Sequence, residues 1–144
     1  MDSLYPKSPY IQVGGIVYFA RMLDKIRLQA IGKLSEDYIP NLGKAFDLRC
    51  CKLLGVEYDD VVEQVHEGSS DEEVLEWCFE QAGAPDEERI EVWNGFMVKR
   101  GWKDEATETL KRRLYERGCE NRTDIETMFD FLDLDEDRDP ALRA

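Results

Sequence analysis

Four charged residues close together hold the richest chemistry in this chain: Arg21, Asp24, Lys25 and Arg27. Arg21 and Lys25 stand one helical turn apart and share a face, and Asp24 can reach Arg21 or Arg27 at i,i+3. A guanidinium clamps a carboxylate or phosphate, a lysine acts as base or electrophile, and an aspartate orients either. Asp47 and Asp71 are the candidate partners of the arginines, although a helix N-terminus explains Asp71 more simply. Trp77, Trp93 and Asn94 complete the set. If the indoles line a pocket with Arg21 or Arg27, they can hold a small planar or acidic ligand. Otherwise they pack a core, with Asn94 bonding a neighbouring helix end or loop. The competing reading of the charges is an ion-pair network that fastens the first helix to acidic helices downstream.

Other reactive residue types are sparse. His66, the one histidine, falls near a helix C-terminus, where the dipole favours a histidinium. Cys50 and Cys51 are adjacent, Cys78 and Cys119 stand alone, and none forms a C-x-x-C pair. Reduced, partly buried thiols are expected, and no metal site. Asp133-x-Asp135-x-Asp137 has the start of a calcium loop, but Arg138 stands where glycine is needed and Ala144 where glutamate is needed. Gly14-Gly15 matches no phosphate-loop spacing and reads as a flexible lead into a helix. No Ser-His-Asp or Cys-His arrangement is evident, and no cofactor is implied.

The charge map narrows the partners. The chain has 144 residues and a net charge of -13. Residues 57–91 contribute fourteen acidic side chains against a single basic one, Arg89. Nucleic acid and anionic membranes would be repelled over most of such a surface. Lys99, Arg100, Lys103, Lys111, Arg112 and Arg113 form a basic patch, expected to complement the acidic helices of the same molecule. No apolar run approaches the roughly 20 residues of a membrane span, and no signal peptide is legible, so the expected location is the cytoplasm.

The elements that must position these residues read as helices throughout. Residues 15–34 show helical periodicity, with Ile16, Phe19, Ala20, Leu23, Ile26, Ala30, Ile31 and Leu34 on one broad face. Arg27 falls in the middle of that face and Asp24 at its margin, so Arg27 is expected to need a partner. Further helices are expected over about 44–54, from Glu57 to Gly68, after the Ser70–Glu73 capping box to Gly83, from Asp86 to Gly101, and from near Asp104 to Arg117. A last helix is expected behind a second capping box at Thr123–Glu126, followed by a frayed acidic tail from Asp133. No strand pattern of useful length is visible. The expected fold is all-α: one compact domain of about seven short helices around a central N-terminal helix. Residues 1–118 form its body, and 119–144 a C-terminal helix and acidic tail packed on it or extending from it.

Ser8-Pro9, Gly14-Gly15, the run Ala20 to Arg27, and Gly32 occur in an order that resembles the opening of a bacterial family, domain of unknown function 5069. Asp47, Gly55-Val56, the run Ser70 to Trp77, and Trp93-Asn94 are similar to its further landmarks. The resemblance covers about residues 5–101. It supports the helical fold and implies no activity.

The expected function is therefore a non-enzymatic cytoplasmic module that binds a protein partner or a small anionic ligand. The alternative is an enzyme using Asp24 and Lys25 in a cleft with Arg21 and Arg27. Oligomeric state is not legible.

Overall fold

Helix 1 opens only after a short β-hairpin. In a computed structural model describing residues 4–142, β1 (Gln12–Val13) pairs antiparallel with β2 (Ile16–Val17). Gly14 and Gly15 form the two-residue turn with φ of 58° and 79°. Two successive left-handed residues suit the twist of a hairpin, and glycine adopts them without steric cost. The pair thus makes a turn where a flexible lead was expected, in strands too short to show alternation.

α1 spans Phe19–Ala30, shorter at both ends than its periodicity suggests. At its start Tyr18 takes a left-handed φ of 75°. At its end the Lys33 N–H donates to Leu28 O at 2.9 Å and the Gly32 N–H to Gln29 O at 3.1 Å, with Gly32 at a φ of 69°. This is a glycine-terminated C-cap. It leaves Ile31 exposed, off the apolar face on which it was expected.

The remaining helices are α2 (Phe46–Leu54), α3 (Tyr58–His66), α4 (Asp71–Ala82), α5 (Glu87–Lys99), α6 (Thr107–Glu116) and α7 (Met128–Asp135). A 3-10 segment, Glu36–Asn41, links α1 to α2, and another, Pro140–Leu142, closes the described chain. The fold is thus a single, mostly helical domain, as expected, with a two-stranded addition. Both halves of the Ser70–Glu73 capping box form. The Thr123–Glu126 box does not: Thr127 caps α7 instead, accepting from the Asp130 N–H.

Phe19, Ala20, Met22 and Leu23 of α1 are fully buried against Cys50 and Leu54 of α2, Val61 of α3, and Val74 and Cys78 of α4. α7 has apolar residues on two sides. Phe129 joins the main core, while Met128, Phe131 and Leu134 pack with Leu110 and Leu114 of α6 and with Ile125. α7 therefore binds α6 to the body, and the acidic stretch expected to fray from Asp133 instead supplies the end of this helix and packed residues behind it. Asp133 and Glu136 are both buried.

No helix among the described residues is long and apolar enough to cross a membrane. The thiols of Cys50, Cys51 and Cys78 are buried, and that burial raises the pKa of Cys51 and of Cys78 to about 12. An aromatic disulfide reagent at about pH 8 should titrate one thiol per folded chain, the half-buried Cys119, and all four after unfolding. Reaction of a second thiol at a comparable rate in the folded chain would contradict this packing.

Candidate functional site

α1 presents its charges on two sides. Arg21 and Lys25, i and i+4, both point inward, and are 2% and 6% exposed. Arg27 keeps about a third of its side chain in solvent. The buried anomaly on this helix is therefore the Arg21–Lys25 pair, not Arg27. The cause is the helix start: α1 begins at Phe19, and the core wraps around its first two turns.

Arg21 donates two hydrogen bonds to Glu136, Nη1 to Oε1 and Nη2 to Oε2, each 2.7 Å long, and a third to Lys7 O at 3.1 Å. A parallel fork of this kind is the strongest geometry an ion pair adopts. Glu136 also accepts from the Tyr38 hydroxyl at 2.6 Å and from Arg138. Arg138 in turn donates Nε to Asp133 Oδ1 at 2.9 Å, and Asp133 accepts from the Ser8 hydroxyl at 3.1 Å. Burial alone would lower the Arg21 pKa, but the hydrogen bonds and charge of Glu136 raise it above the ordinary arginine value. Burial raises the Tyr38 phenol, and the neighbouring Glu136 carboxylate adds to the rise.

Lys25 belongs to a second cluster beside the first. Its Nζ lies 2.7 Å from Asp47 Oδ1 and donates to the Tyr18 hydroxyl at 3.0 Å. The Tyr18 hydroxyl donates to the same Asp47 oxygen at 2.7 Å, and the Gly43 N–H donates to Asp47 Oδ2 at 3.0 Å. Asp47 is completely buried. Burial pulls the Lys25 pKa below the lysine value, while the attraction of Asp47 offsets part of the fall. Burial and the Asp47 carboxylate together push Tyr18 well above the tyrosine value, so it is no phenolate nucleophile.

The other predicted residues go elsewhere. Arg27 donates to Asp71 Oδ1 at 2.6 Å and to Ser69 O at 3.2 Å. Lys7 Nζ donates to Asp71 Oδ2 at 3.1 Å. Asp24 pairs with neither arginine; its Oδ2 accepts the backbone N–H of Lys7 at 3.0 Å. Asn94 Nδ2 donates to Gly15 O at 2.7 Å, its Oδ1 accepts from the Val17 N–H at 3.1 Å, and the Trp93 indole N–H donates to Val17 O at 3.1 Å. Trp93 and Asn94 thus hold the hairpin, and Trp77 is half-buried against the main core. Of the expected network, the link from α1 to α4 forms through Arg27 and Asp71. Arg21 and Lys25 find their carboxylates on the C-terminal segment and on α2.

Other sequence candidates are equally engaged. Asp135 pairs with Arg117 at 3.1 Å. Together with the Ser8 and Arg138 bonds to Asp133, this commits two carboxylates of the candidate calcium loop; its last position, Ala144, lies outside the described residues. The basic patch does not complement residues 57–91. Arg100, Lys111 and Arg112 pair locally with Asp104, Glu108 and Glu116. Among the described residues no group of three or more metal-ligating side chains forms, and no buried side-chain nitrogen or oxygen lacks a hydrogen-bond partner.

A different site opens between α2 and α5. Arg49, Lys52 and Leu53 face Asp86, Glu88, Arg89, Val92, Trp93 and Phe96 across a groove of about 720 Å³. The Arg49 guanidinium lies 5.1 Å from the centre of the Phe96 ring, with Arg100 at 5.3 Å. Arg89 Nη2 donates to Leu53 O at 3.3 Å. Of the predicted residues only Trp93 reaches this groove. Its other residues carry no motif in sequence; the packing of α2 beside α5 brings them together.

Burial also separates the two classes of ion pair in stability. Lys25→Met leaves Asp47 charged in the core and should cost about 3–5 kcal/mol in urea unfolding. Arg27→Met should cost less than about 1 kcal/mol, because the Arg27–Asp71 pair is partly solvated. Equal losses, or the reverse order, would contradict this assignment.

No curated protein matches the chain. A family model described as "Domain of unknown function (DUF5069)" matches residues 3–138. The match runs beyond the landmarks legible in the sequence, through α7 to Glu136 and Arg138. The protein therefore belongs to the DUF5069 family over nearly its whole length.

Proposed function

We propose that the protein is a non-enzymatic, cytoplasmic binding module whose site is the α2–α5 groove, and that it takes a small anionic ligand with an apolar body. The observation that carries this reading is the contrast between the two sets of cations. Arg21, Lys25 and Arg27 are each matched to a carboxylate. Arg49, Lys52 and Arg89 line the groove, and none of them makes an ion pair among the described residues. Leu53, Val92, Trp93 and Phe96 supply apolar surface beside them. A volume of about 720 Å³ is in the range of small-molecule sites. Arg49, Lys52 and Arg89 outnumber Asp86 and Glu88 around the groove, so in a chain of net charge -13 it is a net positive spot that favours a carboxylate or phosphate, while the acidic remainder disfavours nucleic acid and anionic membranes.

The enzymatic alternative, with Asp24 and Lys25 acting beside Arg21 and Arg27, has less support. Lys25 Nζ is enclosed by Asp47 and Tyr18, and Asp24 serves a backbone N–H. A general base must reach its substrate before its pKa matters.

Thermal unfolding with benzoate, phenyl phosphate and inorganic phosphate tests the reading. A ligand at ten times its Kd should stabilise by about 1.4 kcal/mol, a rise of roughly 5 °C in Tm. The organic anions should outperform inorganic phosphate. The Arg49→Ala/Lys52→Ala double variant should lose the shift and Arg27→Ala should keep it. No shift from any anion, or one that the double variant retains, would overturn the proposal.

A further inference from the structure

α5 has a second face, turned to solvent. Trp93 and Met97 point into the core, and Asn94 reaches back to the hairpin. On the opposite side, at spacings of four, three and four residues, stand Glu88, Val92, Gly95 and Lys99, a single column along the helix. Val92 is 65% exposed. Glu88 and Lys99 are exposed at opposite ends of the column and make no ion pair among the described residues.

Gly95 has no reason within the chain. It sits in the middle of a 13-residue helix, where glycine is the least favourable residue after proline. A Cβ built there would meet nothing within 4 Å. Neither a left-handed turn nor a close neighbour calls for its missing side chain. A notch on an exposed helix beside a protruding valine is the shape that lets a second helix approach closely.

The column is complementary to itself. A two-fold axis perpendicular to α5, passing between Trp93 and Asn94, lays the helix antiparallel on its copy. Each Glu88 then faces the Lys99 of the other copy, and each Val92 faces the notch at Gly95. One operation therefore meets three conditions: opposite charges paired at both ends, a knob placed in a hole, and antiparallel helix dipoles. A two-fold interface requires this kind of self-complementary patch. Overall charge opposes association of two acidic chains, but at physiological salt repulsion beyond about 8 Å is screened while contacts across the helix pair are not.

We infer that this face of α5 binds a second copy of the chain, forming a two-fold symmetric dimer through antiparallel α5 helices. Glu88 and Val92 also form one wall of the α2–α5 groove, so the dimer would cover that wall; the inference does not rest on the groove's being a ligand site, and its test reads mass, not ligand.

Sedimentation equilibrium of the full chain in physiological salt, from about 1 to about 100 µM, spans dissociation constants in the micromolar range. The wild type should approach twice the 16.8 kDa chain mass. Glu88→Lys and Lys99→Glu should each weaken the dimer about tenfold or more, and the double reversal should restore it. Gly95→Leu should give a monomer whose Tm is not lowered, which separates a filled notch from a damaged fold. A wild type that is monomeric throughout would overturn the inference. So would a dimer that Gly95→Leu leaves intact, or single-reversal defects that the double reversal does not repair.

Discussion

Burying the Arg21 guanidinium sets a demand that the rest of the chain must meet. A charge that is 2% exposed has lost its water and needs a full set of acceptors in return. Its carboxylate comes from Glu136, 115 positions later. The last helix must therefore return to the first, and α7 is built for the journey: Phe129 anchors it in the main core, and Phe131 and Leu134 anchor α6 to it. Arg138 and Tyr38 then close around the same carboxylate. The segment richest in apparent tail character is the clasp of the fold.

Lys25, Asp47 and Tyr18 extend that demand into a polar layer through the domain. Three cations (Arg21, Lys25, Arg138) meet three carboxylates (Asp47, Asp133, Glu136), so the layer is neutral. Tyr18 holds a left-handed φ of 75° at the helix start, and its hydroxyl bridges Lys25 and Asp47. Backbone strain at a non-glycine residue persists only where surrounding contacts over-determine it. Here those contacts are two short hydrogen bonds and ring packing with Phe46 and Phe129. Such layers specify one arrangement more than they add stability, because desolvation offsets most of the attraction. The cations of this layer are all paired, whereas Arg49, Lys52 and Arg89 on α2 and α5 make no ion pair among the described residues.

Helical character was legible wherever a cap and a period agreed. The Ser70–Glu73 box stands where the sequence placed it, and α5 opens directly behind Asp86, where its helix was expected to begin. The hairpin was hidden because two-residue strands carry no period, and the Thr123 box because a competing cap at Thr127 won. The sequence offered Arg21 and Lys25 either as ligand-binding residues or as members of an ion-pair network, with Asp47 as a partner of the arginines; in the fold Asp47 pairs with Lys25 and Arg21 pairs with Glu136. Glu136, Tyr18 and Tyr38 were missed because their role depends on contacts across long separations. The one available signal was the Phe129, Phe131 and Leu134 pattern, which argues against a frayed end. The groove was invisible for a related reason: Arg49 and Phe96 become neighbours only when α2 lies against α5.

The account stands or falls on the coupling between the two ends of the chain. A double-mutant cycle of Arg21→Met and Glu136→Gln, read by urea unfolding, measures it directly. Each single change should cost about 3–5 kcal/mol, because each strands a buried partner, and the double change should cost at least about 2 kcal/mol less than their sum. Losses that simply add, or single changes costing less than about 0.5 kcal/mol, would show that the clasp does not hold the fold.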